Sequence, residues 1–100
     1  MPVAEISVVP VGTASPSISR FVVAAVIVVK QSGLKYELTS MGTNVEGELS
    51  EILQLTKKMH QICFKNGAKR VVTTLKIDDR LDKKLTMQGK KQAVWKKMGG

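Results

Sequence analysis

Lys35-Tyr36-Glu37-Leu38-Thr39-Ser40-Met41-Gly42-Thr43-Asn44-Val45-Glu46-Gly47-Glu48 reads as two short strands joined by a turn near Gly42. Side chains alternate across a strand, so Tyr36, Leu38 and Val45 fall on one face and Glu37, Thr39, Met41, Asn44, Glu46 and Glu48 on the other. The first set is a core face. The second carries more carboxylates than a sheet needs for solubility, which marks it as the wall of a ligand pocket. Strict alternation from Glu46 sends Thr43 to the core face, although its place beside Gly42 at the turn can free it from that rule.

Upstream of the hairpin, residues 18–31 hold many β-branched side chains and could make a buried strand. The reading is nevertheless a helix. The run is long for a strand, Ser15-Pro16 forms a helix start and Ser32-Gly33 a stop, and these outweigh the weak propensity. This helix lacks a polar face, which predicts a second contact, with the C-terminal segment or with another subunit. Before it, residues 3–11 alternate as a first strand that ends at Pro10 and Gly12.

Downstream, Ser50 is a cap for a second helix with Ile52, Leu55, Met59 and Ile62 at helical spacing, stopped by Asn66-Gly67. Residues 70–78 alternate again as a fourth strand. The order βαββαβ, with right-handed crossovers, predicts an α+β ferredoxin-like sandwich: a four-stranded antiparallel sheet with two helices on one face. A short C-terminal helix over about residues 87–98 lies outside this plan. The expected organisation is therefore a domain over residues 1–80, with residues 81–100 as an extension packed on the same domain or on a neighbouring subunit.

One hundred residues suffice for one core, and 43% hydrophobic with 24% charged residues is ordinary for a soluble globular chain. A single cysteine, Cys63, excludes an internal disulfide and reads as a packed thiol. No export signal stands at the N-terminus, so the cytoplasm is the expected compartment. The longest apolar run, residues 21–29, is about half of a membrane span, so no membrane partner is expected. The net charge of +8 is concentrated toward the C-terminus, where the tail lysines read as a solvated helix face.

The open sheet face is the candidate site. Glu5, Ser7, Glu37, Thr39, Met41, Glu46, Thr74 and Lys76 share it by alternation, and Val9, Val11 and Val72 make it partly apolar. A mixed surface of this kind suits an amphipathic, cationic small molecule, whereas the plain alternative is a solvated face. Ser15 and Ser17 add hydroxyls where the first strand turns into the first helix, a place that suits anions but equally suits simple capping. His60 reads as a surface residue with no second ligand for a metal. The same topology underlies RNA-recognition modules, but the base-stacking aromatics are missing and the glutamates would repel phosphate, which argues against nucleic acid.

Several blocks together resemble a known family. They are Val9-Pro10-Val11-Gly12-Thr13, Ser15-Pro16-Ser17-Ile18-Ser19, Gly33-Leu34-Lys35-Tyr36-Glu37-Leu38, Met41-Gly42-Thr43 with Val45-Glu46-Gly47, Lys58-Met59-His60, Arg70-Val71-Val72-Thr73-Thr74, and Lys76-Ile77-Asp78-Asp79-Arg80 with Asp82-Lys83. In this order, over nearly the whole chain, they are similar to the small thiamine-binding protein family. The resemblance implies a ferredoxin-like fold, a homodimer or homotetramer built by joining sheets, and binding of thiamine or its hydroxymethylpyrimidine part without a reaction or a cofactor. It assigns the Tyr36-Glu37 and Thr43 to Glu46 blocks to the ligand, with Ser15 and Ser17 at the mouth.

The resulting expectation is a non-catalytic binder whose pocket lies on the open sheet face near a subunit interface. Its ligand-binding residues are Ser7, Ser15, Ser17, Glu37, Thr39, Met41, Thr43, Glu46, Thr74 and Lys76. Two alternatives stand beside it. One is a small acylphosphatase-like enzyme with Arg20 as the nearest candidate, and the other is a structural or regulatory oligomer.

Overall fold

The computed structural model describes residues 1–13 and 19–99. In chain order the elements are β1 (Val3–Pro10), α1 (Ser19–Ser32), β2 (Lys35–Thr39), β3 (Gly42–Glu46), α2 (Leu49–Lys65), β4 (Val71–Asp78) and α3 (Met87–Lys97). The strands form one sheet in the order β2-β3-β1-β4, and every neighbouring pair is antiparallel. This is the α+β ferredoxin-like arrangement that the βαββαβ order predicts.

The core is built by residues two apart on the strands and three or four apart on the helices. Ala4, Ile6 and Val45 of the sheet meet Ala25 and Val29 of α1 and Ile52, Leu55 and Met59 of α2. Phe21, Cys63 and Ala68 extend it at one end. Complete burial of side chains of this size contributes about 1.5–3 kcal/mol each, which is why α1 forms in spite of its valines. Gly33 closes α1 in the left-handed region at φ 76°, where a side chain would be strained. Val23 and Ile27 remain exposed on the outer side of α1.

Three local readings shift. The cap of α2 is Glu48 and not Ser50, because the Glu51 carboxylate accepts the Glu48 backbone N–H at 3.0 Å two residues earlier than the serine would act. Tyr36 and Leu38 do lie on the helix-facing side, opposite Val45 and Thr43, yet both stay exposed because β2 is a sheet edge that the helices only partly cover. His60 is half-buried and joins α2 to β4: its Nδ1 lies 2.6 Å from the Thr73 hydroxyl, and Phe64 packs edge-on against its ring. It is a packing residue more than a surface one.

Two features position the site. β1 is longer than the hairpin beside it. Its pairing with β3 stops at Ile6 opposite Thr43, while its pairing with β4 runs on to Pro10 opposite Val71. The second feature is α3, which lies on the sheet face away from α1 and α2. Thr86 caps it by accepting the Gly89 N–H at 2.9 Å, and Met87 is buried. The Glu46 carboxylate accepts the Met87 N–H, Lys91 meets Glu37 at 2.7 Å, and Lys90 pairs with Asp78. From Gln92 onward the helix is exposed, including Val94 and Trp95.

Candidate ligand-binding site

The overrun of β1 past β3 opens a hollow at the corner of the sheet. Ile6, Ser7, Val8 and Val9 of β1, the β2–β3 turn from Thr39 to Thr43, and Val22, Ala25 and Val26 of α1 enclose a cavity of about 280 Å³, with Met59 also in its wall. Most of that lining is apolar, and the polar groups are few. Thr43 is 4% exposed and Ser7 half-buried, and neither hydroxyl has a hydrogen-bond partner among the described residues. Among the described residues no buried side-chain nitrogen or oxygen lacks a partner, so both hydroxyl oxygens keep some solvent access and are free to bond a ligand in the cavity that the two residues line.

Thr39 also lines this cavity, but its hydroxyl is engaged. It donates to the Gly42 carbonyl at 3.0 Å and accepts the N–H groups of Gly42 at 3.1 Å and Met41 at 3.3 Å, so it holds the turn closed. Gly42 must come close to β1 for this: a Cβ there would stand 2.9 Å from the Ile6 carbonyl oxygen. Met41 is 80% exposed at the tip of the turn and overhangs the opening.

One row further along the open face lies a second cavity of about 460 Å³, between the sheet and the first turn of α3. Glu5, Glu37, Asn44, Lys76 and Asp78 line it, together with Met87, Lys90 and Lys91. Its carboxylates are matched by ammonium groups: Lys91 on Glu37, Lys90 on Asp78, and Lys76 near Glu5 at 3.9 Å. Glu37 and Lys91 are each more than 40% exposed, so their attraction is screened and worth only about 0–1 kcal/mol.

The sequence-predicted residues thus divide. Ser7, Thr39, Met41 and Thr43 line the corner cavity, while Glu37 and Lys76 line the cleft under α3. Glu46 is on the open face but 7% exposed, with its carboxylate on the N-terminus of α3. Thr74 is exposed opposite Ser7 and lines neither cavity. Ser15 and Ser17 lie outside the described residues. Alternation on the open face missed Val22, Ala25 and Val26, because a corner cavity borrows from the helix layer. It also left out Lys91, whose only sequence signal is its place one helical turn after the buried Met87.

The remaining candidates bear on other chemistry. Arg20 is exposed and stacks over the Phe21 ring at 4.7 Å. Burial pushes the Cys63 thiol up from its ordinary pKa, and its Sγ lies 3.6 Å from the Met59 carbonyl, as suits an inert packed thiol. Among the described residues no group of three His, Cys, Asp or Glu side chains could hold a metal ion. No described helix is long and apolar enough to cross a membrane.

Fold and cavity together define a ferredoxin-like α+β sandwich with a ligand-sized hollow at one corner of its sheet. Residues 4–95 match the family model described as thiamine-binding protein, and the chain belongs to that family. The UPF0045 protein YqgV of Bacillus subtilis is 37% identical over 98 residues, covering 94% of each chain. A UPF0045 protein of Methanothermobacter thermautotrophicus is 42% identical over 96 residues, covering 95% of this chain and 97% of its own. Among solved structures, the MJ1052 protein of Methanocaldococcus jannaschii superposes with a TM-score of 0.87 at 43% identity, over 93% of this chain and 94% of its own. A Thermotoga maritima protein, named for a proposed place in thiamine biosynthesis or salvage, superposes with a TM-score of 0.81 at 28% identity over 93% and 97%.

Proposed function

We propose that the chain is a non-catalytic cytoplasmic binder of thiamine or of its hydroxymethylpyrimidine part, acting as a homo-oligomer. The observation that carries this reading is the Thr43 hydroxyl in the wall of an apolar corner cavity, without a partner among the described residues and with its oxygen still accessible. A neutral aminopyrimidine offers a flat apolar ring with donors and acceptors on its rim, which is what a few hydroxyls in an apolar wall can orient. Glu5 and Glu37 stand two residues before Ser7 and Thr39 on their strands, about 7 Å along the backbone at the usual strand rise. A ligand with a neutral ring at one end and a cationic ring at the other matches that spacing. Family membership and the Thermotoga maritima neighbour support the same ligand class.

Homo-oligomerisation is supported by the apolar side chains left exposed on both layers, Val9 and Val72 on the sheet and Val23 and Ile27 on α1. The acylphosphatase-like reading has less support, because Arg20 is spent on the Phe21 ring.

Calorimetry with thiamine and with hydroxymethylpyrimidine tests the proposal. Both are expected to bind, and Thr43→Val is expected to weaken both by about 0.5–1.5 kcal/mol, the usual worth of one hydrogen bond. No heat from either ligand at millimolar concentration would remove the reading.

A further inference from the structure

The cleft under α3 has its cations built in. Lys91, half-buried one helical turn after Met87, reaches the Glu37 carboxylate at 2.7 Å, across 54 residues of chain. Its ammonium lies against a carboxylate that is otherwise open to a cation on this face of the sheet. Among the described residues, the helix that carries it is held to the sheet by the buried Met87, by Glu46 capping its first turn, and by two exposed lysine–carboxylate pairs. Pairs this exposed exchange with a competing cation at little cost.

We infer that Lys91 is a specificity-determining residue, an internal competitor that lowers affinity for cationic ligands at Glu37 while leaving neutral ones unaffected, with α3 as its displaceable carrier. The inference rests on the proposed function, in that it takes the corner cavity and Glu37 as two ends of one site. Thiamine must displace the Lys91 ammonium to place its positive ring against Glu37. Hydroxymethylpyrimidine is neutral and is seated beside Ser7 and Thr43, so it meets no such competition. The lysine therefore compresses the preference for the charged ligand over the neutral one.

The test compares the ratio of thiamine to hydroxymethylpyrimidine affinity in the wild type, Lys91→Gln and Lys91→Met, with Lys97→Gln as an exposed control on the same helix. Methionine keeps the apolar stem of the side chain, which separates lost charge from lost packing. Both Lys91 variants are expected to raise thiamine affinity about two- to fivefold, the worth of one exposed ion pair, without changing hydroxymethylpyrimidine affinity. Amide exchange in residues 92–97 is expected to quicken in both variants. Thiamine binding that appears in the variants but is too weak to see in the wild type also supports the inference. Ligand binding with an unchanged ratio overturns the inference and leaves the proposed function standing, whereas no binding by any variant of either ligand overturns both. Exchange in α3 that ignores both substitutions overturns the idea of a displaceable carrier.

Discussion

Glu46 brings a carboxylate to a place where 7% of the residue meets solvent, and the cost is met by the Met87 N–H and by the positive end of the α3 dipole. Removing that acceptor with Glu46→Ala should destabilise the fold by about 1.5–3 kcal/mol, the range for a hydrogen bond to a charged group, read by urea denaturation. Gly42→Ala should cost about 1–3 kcal/mol, since its Cβ would press on the backbone carbonyl of Ile6 rather than on a movable side chain. Cys63 sets a pH dependence. Its folded pKa is raised by burial, so its contribution to stability is complete below the ordinary thiol pKa and declines as pH rises toward the raised folded value. Melting temperatures should fall across that alkaline window in the wild type more steeply than in Cys63→Ala. Alternation alone put Thr43 on the core side, and the structure agrees. What alternation does not convey is that the core wall opens into a cavity at that point, since this depends on where β1 loses its neighbour.

At the scale of elements, the helices show what is local and what is not. The α1 reading survived its valines because length, the Ser32-Gly33 stop and burial of Phe21, Ala25 and Val29 outweigh propensity. The existence of α3 was legible as a short helix over about residues 87–98, but its docking was not, because Glu46 and Met87 are 41 residues apart and no local pattern links them. Thr86→Ala should cost α3 about 1 kcal/mol by loss of its cap, seen as faster amide exchange in that helix while β1 and β4 keep their protection. In the segment leading to α3, Arg80 holds the Asp82 carboxyl below its ordinary pKa through a hydrogen bond at 2.8 Å. A depressed carboxylate stabilises the folded form above its ordinary pKa and loses that contribution as pH falls through the lowered value. The Asp82 carboxyl signal in an NMR titration should therefore have a midpoint lower than in Arg80→Gln.

For the whole molecule, topology was the most legible property, because strand alternation, two helical runs and one tight hairpin leave few ways to close a sheet. The candidate site was legible only in part. Its polar residues lie on strands whose faces can be counted, yet the cavity forms where layers meet, and α1 supplies three of its walls' side chains: Val22, Ala25 and Val26. The charge of +8 likewise says little until it is known that Lys90 and Lys91 pair with carboxylates of the sheet. β1 has eight residues and β3 five, and that mismatch is itself a design variable. A hairpin longer by two residues on each arm would continue the ladder beside Ser7 and Val8 and fill the hollow with backbone. A shorter one would deepen it. Cavity size in this architecture is thus metered by the length of a turn, so the hollow can widen or close through insertions and deletions at Ser40 and Met41 while every residue of the core stays as it is.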